Sequence, residues 1–299
     1  MKFIEKYQFE LISIGIMTLV IGFLFQKPLT GEYTFTGADS LSPSAVNQGI
    51  MVAEEEHGEY PLWLPWIFSG LPSVHSFQNI SDYYFPNIIT NIMIYMGIPN
   101  FWNYVFHFIL AGMGVFFILR QLGTSKYSAL FGGISFALMP YLITMVVHGH
   151  GSQMMTTAWL PWVIWAILRL YDEVNIINLS LLAIIVGFQM QRAHAQVAYY
   201  TWMLGGLLII MLLFKIYDKP NKKNSKWLIY TGFAFVLGLC MAMWIYLPAL
   251  NYAPYSIRGA GSGGGAGFNY ATSWSFSIGE NFIFSESEMA AENTIRIKF

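Results

Sequence analysis

Two carboxylates, three histidines and one arginine sit where a site beside a membrane could use them. Asp39, in Thr36-Gly37-Ala38-Asp39-Ser40, follows the first long apolar run. A carboxylate there could serve as a general base or hold a divalent cation. With Ser40 and Pro43 behind it, the same residue also suits a turn or a helix start. Asp82, in Ser81-Asp82-Tyr83-Tyr84-Phe85-Pro86, is a second carboxylate, placed just before the chain returns to apolar sequence; a turn residue is the plainer reading. His148 and His150 flank Gly149. That spacing is a weaker metal signal than two histidines one helical turn apart, and with no third ligand in view a wetted loop is the leading reading. Arg192 and His194 could receive a phosphate, because a guanidinium offers a rigid fork of donors to phosphoryl oxygens. The competing reading is snorkelling to the headgroups from a helix end. Glu54–Glu56 with Glu59 read as a solvated face. Gly261–Gly267 lacks the Lys-Ser/Thr ending of a phosphate loop and reads as a flexible linker. No Ser-His-Asp order, HExxH or CxxC motif is present.

The elements that must position these residues are membrane helices. Of 299 residues, 56% are hydrophobic and 10% charged, where a soluble domain carries about 25% charged residues. The net charge of −1 argues against a nucleic-acid partner, which needs concentrated Lys and Arg. The single cysteine, Cys240, lies in an apolar run and can build neither a disulfide nor a thiolate metal site. Crossing the hydrocarbon core takes about 20 mostly apolar residues. Seven stretches qualify: 9–26, 101–122, 129–147, 155–170, 176–190, 197–217 and 227–250. No small-residue cleavage site follows the first, so it reads as an uncleaved anchor. The run 85–98, broken by Pro86 and Pro99, reads as a re-entrant or interfacial piece. With the N-terminus in the cytoplasm, ten Lys and Arg fall inside and five outside, in keeping with the positive-inside rule. Residues 27–84 then form a long first outer loop. Its Pro-punctuated run Tyr60–Pro72 cannot be one regular helix and fits irregular backbone or short interfacial helices. Few polar residues sit deep in the candidate spans: His107, and Gln189 and Gln191 near a helix end.

Several of these segments together resemble the YfhO-type family of bacterial membrane proteins. The resemblance is carried by Gly37-Ala38-Asp39, by Tyr60-Pro61-Leu62-Trp63-Leu64-Pro65 with Phe68-Ser69-Gly70-Leu71-Pro72, and by His148-Gly149-His150 before Ala158-Trp159-Leu160-Pro161-Trp162. It continues through Gln191, His194, Gln196 and Tyr199-Tyr200 to Ala271-Thr272-Ser273-Trp274-Ser275-Phe276-Ser277. It implies an all-α, GT-C-like polytopic protein of the bacterial inner membrane. Residues 1–250 would be the transmembrane helical domain, and 251–299 an outer Gly-rich segment with a truncated tail. The implied partners are the lipid bilayer, a polyprenyl-phosphate sugar donor and a cell-envelope polymer acceptor. Asp39 and Asp82 become the candidate catalytic carboxylates, with a divalent cation as a candidate cofactor. His148, His150, Arg192, His194 and Gln196 become candidate substrate ligands. The family is usually longer, so a truncated product or a fragment is expected. A transporter or flippase of lipid-linked precursors, and a non-catalytic scaffold, are the alternatives.

Overall fold

The computed structural model describes residues 2–31, 33, 35, 38–67, 69–74, 84–217 and 222–256. Asp82 and the Gly261–Gly267 run lie outside them. The chain divides into Met1–Ala249 and Leu250–Phe299; of the second, the described residues are a last helical stretch and a 3-10 turn, Ala253–Tyr255.

Helix α1 (Lys2–Leu24) bends at Tyr7 and leads into the short α2 (Gln26–Leu29). Within the segment 27–84 come α3 (Ala38–His57) and a two-stranded antiparallel ribbon, β1 (Trp63–Leu64) with β2 (Leu71–Pro72). The ribbon is the regular element that the Pro-rich run does form. Its reversal requires Gly70, whose φ is +129° and whose site has no room for a Cβ against the Trp63 ring. The short helix α4 (Asn87–Tyr95) buries Asn87 and Thr90 and exposes Ile88, Ile89, Ile92 and Tyr95. A helix with polar residues inward and apolar residues outward suits lipid, not water.

The bundle proper is α5 (Trp102–Gln121), α6 (Lys126–Ala137), α7 (Pro140–Val147), α8 (Gly151–Ala158), α9 (Leu160–Asp172), α10 (Ile176–Gln191), α11 (Ala195–Tyr217) and α12 (Lys222–Tyr252). Helices α6 and α7 run on as one span, broken where Met139 turns extended ahead of Pro140. Among the described residues, five helices are long and apolar enough to cross a membrane: 7–24, 102–121, 126–147, 195–214 and 226–255. The chain is therefore an all-α, multi-pass membrane protein. The two remaining expected segments are shorter. Residues 155–170 are divided at Trp159, ahead of Pro161, between α8 and α9, and α10 has 16 residues.

Two apolar clusters hold the helices together. Met17, Phe25, Phe108, Phe116, Leu142 and Met154 fill the first, around α5. Val163, Ile167, Leu182, Val186, Leu212 and Trp227 fill the second, around α9 and α10. The indole of Trp162 joins α9 to α5 by donating to the Leu110 carbonyl at 2.7 Å. Where α5 crosses α6, a Cβ on Gly133 would lie 2.6 Å from the Gly112 carbonyl oxygen, the close backbone approach that small residues permit between membrane helices. Outward-facing Phe23, Phe131 and Phe214 are exposed, as lipid contacts are.

The helical ends sort into two groups. Asp39 meets His150 at one. At the other, Gln121 Nε2 donates to Asp172 Oδ2 at 2.7 Å, tying the α5–α6 turn to the end of α9. The 20 residues of α5 separate the two groups by about 30 Å at 1.5 Å per residue.

Candidate functional site

Asp39 lies in the first turn of α3, where the exposed N–H groups and the helix dipole favour a carboxylate. The helix-start reading of its sequence thus holds. The turn between α7 and α8 is shaped by Gly149. At φ +91° it ends α7, the N–H groups of Gly149 and His150 turning back to the carbonyls of Val146 and Met145. That reversal carries His150 to the start of α8 and brings its Nε2 to 3.2 Å from Asp39 Oδ2. The Asp39 side chain is 63% exposed and that of His150 39%, so solvent reaches the pair and its contribution to stability is small. What it offers is an accessible carboxylate held at a fixed place by an imidazole from another segment.

The other candidates separate. His148 is exposed and its Nδ1 bonds to the Thr144 carbonyl of its own helix at 3.0 Å. Gln196 donates to Tyr200 Oη one turn along α11, on an exposed surface. Neither joins the Asp39–His150 pair. Among the described residues no group of three His, Cys, Asp or Glu gathers as a metal would require; Asp39 and His150 alone are two donors, and no catalytic step is assigned to a cation.

Arg192 behaves differently from a snorkelling residue. It follows α10 directly, and the αL backbone of Ala193 (φ +52°) turns the chain just after it. Arg192 is 8% exposed, and its guanidinium lies 4.8 Å from the Tyr84 ring centroid. Its Nε finds no hydrogen-bond acceptor, and among the described residues no carboxylate pairs with it. Burial lowers its pKa, with Tyr84 and Tyr104 opposing the shift, yet an arginine stays protonated in proteins. A buried cation with no carboxylate beside it among the described residues is costly and invites an anion. His194 is half-buried. Burial pulls its pKa below the ordinary value, a backbone hydrogen bond opposes this, and His150 pushes it down further. At neutral pH it is therefore a neutral donor or acceptor.

Beneath this end lies a polar network that the sequence reading did not assemble. His107 Nδ1 donates to the Asn103 carbonyl at 2.7 Å, which leaves Nε2 to accept from Tyr84 Oη at 3.0 Å. Tyr84 Oη in turn accepts from Trp159 Nε1 at 2.7 Å. The next amide, Phe85 N, donates to Gln191 Oε1 at 3.2 Å. Gln189 Nε2 donates to Thr201 Oγ1 at 2.9 Å and to the Thr156 carbonyl at 3.3 Å. The chain entering α4 is thereby fastened to α5, to the α8–α9 junction and to α10. His107 and the two glutamines stood out as polar residues in apolar sequence; Tyr84 and Trp159 carried no signal that set them apart from interfacial aromatics.

A cavity of about 670 Å³ is walled by Leu41, Ser44 and Asn47 of α3, Tyr104 of α5, Gly149 and the preceding loop at Tyr33; its walls include sequence neighbours of Asp39 and His150 but neither residue itself. Comparison of the chain with protein-family models, curated proteins and solved structures returns no match.

Proposed function

We propose that the protein transfers a sugar from a polyprenyl-phosphate carrier to a cell-envelope acceptor on the outer face of a bacterial inner membrane, as its resemblance to the YfhO-type family implies. The observation that carries this reading is the meeting of Asp39 with His150 at the end of the bundle where, among the described residues, no carboxylate pairs with the buried Arg192. Asp39 takes the proton of the acceptor hydroxyl as that oxygen bonds the anomeric carbon and the bond to the carrier phosphate breaks. Arg192 supplies positive potential to the leaving phosphate, and His194 a neutral hydrogen bond. On this reading α8–α9 and α10 complete a seven-span, GT-C-like bundle with a cytoplasmic N-terminus; the grouping of residues 121 and 172 at the end opposite Asp39 supports it.

The test is sugar transfer by the protein in proteoliposomes, from a labelled polyprenyl-phosphate sugar to an envelope polymer. Asp39→Asn should abolish transfer while changing stability by no more than about 1 kcal/mol, as for an exposed pair. Unchanged transfer by Asp39→Asn would reject the assignment. A second reading, a flippase for such lipids, draws on the polar cluster of Gln189, Thr156 and Thr201 within the helices. It requires lipid movement that survives the same substitution.

A further inference from the structure

The far end of α3 carries a groove that sugar transfer at Asp39 does not use. Ala45, Gly49 and Ala53 recur every four residues and so share one face of the helix. Their small side chains leave room for Trp66, which the loop of the β1–β2 ribbon brings over: a Cβ on Gly49 would sit 3.1 Å from the indole. The groove so formed has a volume of about 460 Å³, within the range of about 300–1,000 Å³ in which proteins hold small ligands. Its rim is polar. Gln48, Glu56 and His57 line it, all three exposed, and among the described residues none of their side chains has a hydrogen bond or ion pair. The indole itself remains 48% exposed. Charge around the groove is one-sided. No lysine or arginine occurs between Lys27 and Arg120, a stretch with seven acidic residues, four of them Glu54, Glu55, Glu56 and Glu59. Such a field attracts cations and repels anions.

We infer that this groove binds an amino sugar whose amine is free and positively charged. The flat indole of Trp66 takes the apolar face of the pyranose ring. The Glu56 carboxylate accepts a charge-assisted hydrogen bond from the ammonium. Gln48 and His57 present the amide and imidazole groups that sugar hydroxyls pair with. A bare quaternary ammonium is better served by a cage of several rings, and the described lining holds one aromatic residue, Trp66. An acidic sugar would meet carboxylates and no cation. The seventeen residues from Asp39 to Glu56 put the groove about 25 Å along α3 from the Asp39–His150 pair, at 1.5 Å per residue. The groove is therefore a second, non-catalytic site, and it stands whether or not the protein transfers sugar.

The experiment is saturation-transfer NMR on the full chain in phosphatidylcholine nanodiscs, with empty nanodiscs as the blank. The probes are methyl glucosaminide, its N-acetyl form, methyl glucuronide and tetramethylammonium. The free amine should bind about fivefold more tightly than the N-acetyl form, the difference between a charged and a neutral hydrogen bond, and the glucuronide should not bind. Glu56→Gln keeps the shape of an exposed side chain, so folding is not at stake. It should erase the fivefold preference and leave the N-acetyl form unchanged, while Glu55→Gln, outside the groove, should change little. Trp66→Ala should weaken both glycosides about tenfold, the scale of one aromatic contact. Asp39→Asn should bind as the unaltered chain does. Equal binding of amine and N-acetyl forms, a preference that survives Glu56→Gln, or competition by tetramethylammonium as strong as by the sugar overturns the inference. So does loss of binding in Asp39→Asn, which would move the sugar to the transfer pair, and so does the absence of binding by a folded sample.

Discussion

Tyr84→Phe removes one oxygen from the centre of the buried network and little else. The ring remains, so Arg192 keeps the aromatic face it covers at 4.8 Å. What is lost is the acceptor for Trp159 Nε1 and the donor to His107 Nε2. Tyr84 is 1% exposed and His107 fully buried, so water cannot take over both bonds. A buried polar group left unpaired costs about 1–3 kcal/mol, and two such groups, partly relaxed, cost about 2–4 kcal/mol. At about 2–4 °C per kcal/mol for a chain of this size, the midpoint of thermal unfolding in detergent should fall by about 4–16 °C. Pairing the change with His107→Leu removes one of the stranded groups, so the double variant should be less destabilised than the sum, by about 0.5–3 kcal/mol. A fall of less than about 1 °C, or strict additivity, would show that the network does not hold the end of the first outer loop.

His194 sets a pH dependence. Its folded pKa lies below the ordinary value of 6.5 because burial disfavours the imidazolium. The unfolded chain therefore binds more protons as pH drops below about 6.5. Stability should be full above that pH and decline below it, and His194→Gln should flatten the decline; an unchanged profile in the variant would assign the loss to other groups. Orientation is open to a labelling test in a Cys240→Ser background. A membrane-impermeant maleimide should label Gln48→Cys on intact cells and Glu173→Cys only after permeabilisation. The reverse pattern would put Asp39 in the cytoplasm.

Long apolar runs made α5, α11 and α12 legible, because lipid leaves a span no alternative to satisfying its backbone internally. The run 155–170 read as one span because hydropathy ignores the break at Trp159 and Pro161. Helix α3 was hidden: half of its residues are polar and Pro43 falls near its start, so only Asp39 hinted at a helix start. The pairing of Asp39 with His150 joins distant segments and has no local sequence signature; what could be read was that several outer segments held reactive types. For Arg192 the sequence allowed phosphate binding or snorkelling, and the packing of Tyr84 over a buried guanidinium speaks against snorkelling. His148 and His150 look alike in sequence, and Gly149 separates them, turning one back on α7 and the other toward Asp39.

The central claim is that the outer end of this bundle receives a polyprenyl-phosphate sugar. The direct measurement is equilibrium binding of that lipid to the detergent-purified chain, with Arg192→Ala and Asp39→Asn alongside. The account predicts saturable binding, weakened by Arg192→Ala through loss of the buried positive charge and nearly unchanged by Asp39→Asn, whose carboxylate acts on the acceptor. No saturable binding by a well-folded sample, or binding indifferent to Arg192→Ala, would contradict it.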